Sequence, residues 1–381
     1  MAGEASSPRL MWDWGTAYDL FVSLHILCRP GEYDLRASWA AAVRARFPAP
    51  VRETLEQVQT VISVPMHWIH TLPNPKDSGA VLWGLAQIPA AERLATLGLG
   101  PETPPAAADI LRNVAARQAW EKHDLEALQA AHRPSESAHQ SKASTKTSDE
   151  KTKWLTNTLD WWARPPEEFG ERYLTALQTY HQSFFSEEEL RIRPALQQAL
   201  TRAQALAAQY AVPALLEELS QGLTFPAQIS DFFDCQPEAL EELVLAPSFW
   251  STPLVWFGQV GVKRHLMLFG ARPADTALIP GEVVPDAVLR MLKALADPTR
   301  LRILLYLGQE PLTPAELSRR LRLRPPTVTH HLTLLRLAGA VRVHIEPGGE
   351  RRYTARPEAI EAANKGLQEF LKPVPHTADA E

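Results

Sequence analysis

Four short polar side chains, Thr327, Thr329, His330 and Thr333, are spaced to share one side of a helix, with Val328, Leu332, Leu335 and Gly339 on the other. Hydroxyls and an imidazole presented this way can meet base edges or phosphate oxygens in a major groove, while plain solvent exposure is the bland alternative. Arg324 stands just before them, and Arg351 and Arg352 follow at the end of a short Gly-containing turn. His331 points about 100° away from His330, toward the Val328 and Leu332 side, so it is expected to pack or to form a hydrogen bond rather than to read.

The elements that must hold these residues have sharp local signals. Asp297 is an N-cap acceptor with Pro298 at the first helical position, and Leu301, Ile303, Leu304, Leu305 and Leu307 give that helix a broad apolar side before Gly308. Thr313-Pro314-Ala315-Glu316 forms a capping box for a second helix ending near Leu321. After Gly339 the period becomes two, with Val341, Val343 and Ile345 on one face of a strand and Arg342, His344 and Glu346 on the other. Pro347-Gly348-Gly349 permits a turn, and Glu350 to Thr354 returns as a wing strand bearing Arg351 and Arg352.

The runs Leu295-Ala-Asp-Pro-Thr-Arg-Leu-Arg-Ile-Leu304, Pro326-Thr-Val-Thr-His-His-Leu332 and Leu337-Ala-Gly-Ala-Val341 resemble the ArsR/SmtB family of bacterial transcriptional repressors. The resemblance implies a winged helix-turn-helix homodimer with the third helix in the major groove and the wing near the adjacent minor groove. It places DNA contacts at Thr327, Thr329, His330, Thr333, Arg351 and Arg352, and Arg324 is a further candidate contact. Arg324 and Pro325 replace the polar pair common before the equivalent of Pro326, so one usual base contact is absent. Ser318 and Arg320 occupy positions where many members carry metal-binding cysteines, and the last helix, with Glu358, Glu361 and Glu369, has no histidine. No metal site is expected.

Val288, Met291, Leu292 and Leu295 before this region, with Ile360, Leu367, Phe370 and Leu371 at its end, exceed what a lone winged helix buries. Val288, Leu292, Leu295, Leu367 and Phe370 are the candidate dimer seam, and packing against the rest of the chain competes with it. A dimer would set recognition helices roughly 34–36 Å apart on an inverted-repeat operator.

Residues 286–372 carry 15 Lys and Arg against 9 Asp and Glu, a net of +6, so the remainder holds −11 of the chain's overall −5. That asymmetry suits a nucleic-acid module joined to an acidic region that avoids DNA. Two cysteines, Cys28 and Cys235, are too few for a disulfide framework, and Met1 to Leu10 lacks the apolar run of a signal peptide. No stretch reaches the length of a membrane span, so a cytoplasmic location is expected.

At 381 residues the winged helix must be attached to something larger. The expected architecture is mainly α: a helical region 1–130, a polar linker 131–153, a second helical region 154–285 with a small antiparallel sheet, the winged helix 286–372 and a tail 373–381. Helices are expected over Trp12 to Leu27, Ser38 to Phe47, Val51 to Val61, Met66 to Leu72, Ser78 to Gln87, Pro89 to Leu97, Ala106 to Leu128, Trp154 to Trp162, Pro166 to Phe185, Ser186 to Tyr210 and Pro213 to Leu219. Pro226 to Phe233 forms a further segment. Strands are expected in Glu242 to Leu245, Leu254 to Phe257 and Arg264 to Phe269.

All eleven tryptophans precede residue 286. Trp12, Trp14, Trp39, Trp68, Trp83, Trp161, Trp162, Trp250 and Trp256 could line a cavity for a small-molecule effector, although large aromatics are usually core. His67 and His70 share a helical face, but a pair alone is a weak metal signal. Glu187-Glu188-Glu189 and Glu217-Glu218 read as helix termini and solvated faces. Without a phosphate loop, serine elbow or zinc-protease helix, no enzyme is expected, and no cofactor. The expected function is a sequence-specific DNA-binding transcriptional regulator, a dimeric repressor answering a non-metal signal through its N-terminal region. The alternatives are an enzymatic N-terminal domain using the winged helix for interaction, or an architectural DNA-binding protein without effector.

Overall fold

The computed structural model describes residues 7–131, 148–220, 222–225, 240–273, 276–281, 284–346 and 350–371, and helices predominate. The chain divides into two compact units, one from Met1–Ser220, Phe225–Arg272 and Ile345–Glu350, the other from Gln221–Thr224, Pro273–His344 and Arg351–Glu381. Cys235, the Pro226 to Phe233 segment, most of the expected 131–153 linker, the Pro347-Gly348-Gly349 turn and the tail lie outside the described residues.

Helices of the larger unit, α1 to α12, run over Thr16–Cys28, Ala37–Arg44, Ala49–Val58, Met66–Thr71, Ser78–Gln87, Ala90–Gly98, Pro105–Arg117, Lys122–Ala131, Ser148–Trp162, Pro166–Tyr180, Ser186–Ala207 and Val212–Ser220. Its sheet is built from β1 (Arg9–Trp12), β3 (Glu242–Ser248), β4 (Trp256–Gly261) and β5 (Arg264–Gly270), while β2 (Leu223–Thr224) belongs to the smaller unit. Helix α1 was expected to show one apolar face, yet Thr16 to Leu27 are all buried, as in a helix at the centre of a core. Its start also differs, because Arg9–Trp12 pairs as a strand with residues more than 200 positions away.

The sheet is mixed rather than antiparallel, in the order β1-β3-β5-β4. Strand β3 is parallel to β1 (Leu10↔Leu243) and to β5 (Val244↔Leu266); only β4 and β5 are antiparallel (Phe257↔Met267). Leu243 to Ala246 and Leu266 to Phe269 are buried throughout, which fits central strands covered on both faces.

Two further expectations fail for identifiable reasons. The single helix expected over Ala106 to Leu128 breaks at Gln118, whose φ of 52° ends α7, and Asp124 then accepts from Glu121 N and from Arg117 at the start of α8. Ser186 is not an N-cap, because His181–Phe185 forms a π-helical turn that carries α10 into α11 without interruption. Glu188 and Glu189 are consequently buried, at 4% and 8% exposure, rather than solvated. Glu188 accepts from Trp250 Nε1 (3.1 Å) and pairs with Arg191, while Glu189 accepts from Thr16 and from Ser78 N (3.0 Å) and Oγ.

The smaller unit contains α13 (Asp286–Leu295), α14 (Pro298–Leu307), α15 (Pro314–Leu321), α16 (Pro325–Leu337), β6 (Val341–Ile345), β7 (Arg351–Ala355) and α17 (Pro357–Phe370). Its sheet has the order β2-β6-β7, with β2 parallel to β6 (Leu223↔Val343). A bridge joins Leu312 to Tyr353, with Leu312 N to Tyr353 O at 3.0 Å and the return bond at 2.9 Å. Neither β2 nor this bridge has a local sequence signal. Among the described residues no helix is long and apolar enough to cross a membrane.

Candidate nucleic-acid interface

Each helix that frames the interface is fixed by its own ends. Asp297 caps α14 by accepting from Arg300 N at 2.9 Å, and that bond, with the Arg300 charge, holds its carboxyl below the usual aspartate range against partial burial. Thr313 and Glu316 complete the capping box of α15: Thr313 N donates to Glu316 Oε2 at 2.7 Å and Glu316 N to Thr313 Oγ1 at 3.3 Å. Such caps are worth about 1 kcal/mol each. On α14, however, Ile303, Leu304 and Leu307 are buried whereas Leu301 and Leu305 are 49% and 64% exposed. The expected broad apolar side is thus narrower than five residues, since Leu301 and Leu305 share a separate face one turn apart.

Helix α15 ends at Arg322, whose φ is 57°, with Leu323 N returning to Ser318 O at 3.1 Å. An L residue in this left-handed conformation carries a cost of about 1 kcal/mol that glycine would avoid. Arg322 is exposed and makes no ion pair among the described residues. Helix α16 begins on Arg324, which offers no side-chain cap; Pro325 at the first position removes one donor that would need it. Its end is a Schellman arrangement around Gly339 at φ 74°, with Gly339 N to Arg336 O and Ala340 N to Leu335 O, both 2.9 Å. Gly339 therefore follows the helix and turns the chain into β6, rather than adding to the helix's apolar face.

Val328, Leu332 and Leu335 are buried at 0–1% exposure, and Thr327, Thr329, His330 and Thr333 are exposed, so α16 presents a polar face with a packed back. Thr333 Oγ1 donates to Thr329 O at 2.9 Å, which leaves its oxygen free to accept. His331 is half-buried, its Nδ1 lacks a hydrogen-bond partner, and burial pushes its pKa down despite the Asp297 charge.

The wing arginines differ from each other. Arg352 lies on the face of β7 that looks back to α15, with its guanidinium 3.5 Å from Glu316 Oε2 and 3.4 Å from Pro311 O. Arg351 is half-buried on the opposite face of the strand. Arg324, with Arg322 and Arg319, adds exposed cations around the turn between α15 and α16. No motif position singles out Arg322 or Arg319; the non-glycine in the helix-ending position is the local signal at Arg322.

Of the candidate seam residues, Val288 is 5% exposed and stands against Gly366, where an added Cβ would lie 3.1 Å from Val288 Cγ2. It is consumed within the unit by α13 packing on α17, and is not free for a partner. Leu295 and Leu367 are half-buried, whereas Leu292 and Phe370 are 45% and 38% exposed, as is the adjoining Leu371 at 67%.

The other candidate chemistry disperses. His67 Nε2 meets Thr96 O at 3.0 Å and His70 Nδ1 meets Asp13 Oδ2 at 3.1 Å, so the pair does not converge on one point. Trp68, Trp161, Trp162 and Trp250 are buried core, Trp39 stacks on Trp250 and Trp256 on Tyr33, and Trp83 is 61% exposed. Of the nine tryptophans considered, Trp162 lines a cavity of about 470 Å³, together with Trp154. Burial pushes the half-buried Cys28 thiol up to about 12, which disfavours its thiolate.

A family model described as a helix-turn-helix domain matches residues 295–344, from the end of α13 into β6. Comparison with curated proteins and with solved structures finds no match. The chain thus carries a helix-turn-helix domain of the DNA-binding kind, and the matched residues include the whole polar face of α16.

Proposed function

We propose that the protein is a sequence-specific transcriptional regulator, a dimeric repressor of the ArsR type that answers a non-metal signal through its N-terminal region, and not an enzyme. The observation that carries this reading is the division of α16 into a buried back, Val328, Leu332 and Leu335, and an exposed row of Thr327, Thr329, His330 and Thr333. Docked in a major groove, His330 and the threonines read base edges, while Arg324, Arg322 and Arg351 meet phosphates. Arg352 serves chiefly to tie the wing to the capped start of α15.

The exposed apolar side chains Leu292, Phe370 and Leu371 support association of two copies through α13 and α17. A two-fold axis there requires an inverted repeat, with half-sites one helical turn apart. The test is selection of bound duplexes from random DNA by the full-length protein at fixed physiological salt. Enrichment of an inverted repeat is the expected result. Salt-sensitive binding without enrichment would point instead to an architectural role.

A further inference from the structure

We propose that Asp19 makes the turn after β3 a proton-gated element: the neutral acid locks Ser248 to Ser251 onto α1, and loss of the proton releases them. Its use as the non-metal signal rests on the regulatory reading above; the gate itself does not. Asp19 is 0% exposed and makes no ion pair among the described residues. Its donors are all neutral: Ser248 Oγ gives to Oδ1 at 2.7 Å, Trp250 N to Oδ1 at 2.8 Å and Phe249 N to Oδ2 at 3.2 Å. A buried carboxylate without a counter-ion is so costly that such a group takes up a proton instead. The bond pattern fits the neutral acid. Both short bonds fall on Oδ1, which as a carbonyl oxygen has two lone pairs for them, while Oδ2, left to carry the proton, has only the long one.

Glu188 on α11 adds a second pressure. It is 4% exposed, accepts from Trp250 Nε1 at 3.1 Å and pairs with Arg191, so one tryptophan is bonded to both carboxyls. Burial outweighs the three bonds and, with the Glu188 charge, moves the Asp19 pKa from 3.8 up to about 7. Tyr180 on α10 is the other titratable group coupled to Asp19. Neighbouring charged groups are directed elsewhere: His70 and Lys76 to Asp13, Arg44 to Glu56, Arg29 to His25 and Gln59, Asp77 to Ala80 N, Glu189 to Thr16 and Ser78, and Glu242 of β3 to Arg9 and Arg264.

The turn is itself one hydrogen-bonded unit, because Ser251 N and Oγ bond back to Ser248 Oγ (3.2 Å) and O (3.1 Å). Phe249, Trp250 and Ser251 are 1–2% exposed, so hydrating a charge on Asp19 requires water at a turn that excludes it. Ionisation and opening are therefore linked. Between the ordinary value of 3.8 and about 7 the opening constant rises by about tenfold per pH unit, and above that it levels off.

Hydrogen exchange at the amides of Phe249 to Ser251 in the full-length protein, corrected for intrinsic rates, tests this. Protection is expected to fall by about tenfold per pH unit from pH 5 to pH 7 and then to level. Asp19→Asn, a neutral isostere, should keep protection level throughout. Glu188→Gln removes the opposing charge, so Asp19 ionises more readily and the levelling begins at lower pH, a shift that a merely structural Asp19 does not produce. Level protection in the wild type, an equal loss in Asp19→Asn, or an unmoved levelling point in Glu188→Gln overturns the gate. These amides are read without DNA, so failure to select an operator leaves the gate standing. Operator affinity with the same pH dependence in the wild type and Asp19→Asn removes its regulatory use.

Discussion

The two units place their charged side chains in opposite ways. In the larger unit Asp13, Asp19, Lys76, Arg93, Asp124, Glu188, Glu189 and Arg272 are all at least nine-tenths buried; in the smaller one the charged side chains of the described residues are more open to solvent, Arg336 being an exception whose guanidinium is disfavoured by burial. Buried charge must be matched by specific partners, so it fixes one arrangement of distant segments at the cost of desolvation. Exposed charge is weakly held and stays available to something outside. The larger unit is therefore built to be held in one shape, whereas the charge of the smaller one stays open to solvent.

The sharpest break of this contrast is at Asp13 and Lys76. Lys76 Nζ lies 2.5 Å from Asp13 Oδ2 and 2.7 Å from His70 O, and Tyr18 adds a bond to the same carboxylate. Burial alone would raise the Asp13 pKa, but the bonds from His70 and Lys76 and the Lys76 charge hold it below its ordinary value. Lys76→Met leaves that carboxylate without its cation and is expected to cost about 3–5 kcal/mol. Urea unfolding followed by tryptophan fluorescence measures it cleanly, because all eleven tryptophans lie in the part of the chain that precedes α13. Arg324→Ala in the smaller unit should change that transition by less than about 0.5 kcal/mol.

Asp19 gives the contrast a pH dependence. It is wholly buried, and although Ser248 Oγ (2.7 Å), Trp250 N (2.8 Å) and Phe249 N donate to it, burial pushes its pKa from 3.8 up to about 7. A carboxyl with a raised folded pKa contributes stability below its unfolded pKa and loses it as pH rises, here between about 4 and 7. His25 works in the other direction: burial and Arg29 lower it from 6.5 to about 4, so its contribution is lost as pH falls through that window. Asp19→Asn should remove the first slope and leave the second, so the variant gains on the wild type in urea midpoint from pH 5 to pH 8. An unchanged difference across that range would mean that Asp19 is ionised in the fold throughout.

These two tests also mark what the sequence could disclose. In the smaller unit a cap and the helix it starts lie within four residues, as at Thr313 and Glu316, and the change of period after Gly339 occurs where the chain turns. Short-range physics suffices there, and both the helices and the polar face of α16 were legible. The bridge of Leu312 to Tyr353 and the pairing of β2 with β6 were not, because they join segments far apart. In the larger unit nearly every deciding contact is of that second kind: Asp19 with Ser248, Glu188 with Trp250, Arg9–Trp12 with β3. Glu188 and Glu189 looked like a solvated first turn because nothing nearby announces the π-helical turn that carries α10 into α11, or the Trp, Thr and Ser donors that reach them.

In the smaller unit the expected effects concern DNA more than stability. His330 is exposed beside buried Val328, so His330→Ala should leave thermal unfolding of the unit nearly unchanged. If it reads a base, the variant relaxes preference at one operator position by about 1–3 kcal/mol, seen as equalised binding to duplexes differing at that pair. A uniform loss on all duplexes would make it a phosphate contact instead.

The smallest effect is also the most discriminating, because two properties must move in opposite directions. Arg322 ends α15 at φ 57°, exposed and without an ion pair among the described residues. Arg322→Gly removes the strain of an L residue there and should stabilise the unit by up to about 1 kcal/mol. If the arginine also meets a phosphate, the same change weakens binding to every sequence alike and lowers the slope of log affinity against log salt by about 0.9. Far-ultraviolet circular dichroism during thermal unfolding reads the first property, and a salt titration of DNA binding reads the second. Gain of stability with an unaltered salt slope would remove Arg322 from the interface and leave its conformation a local cost without a use.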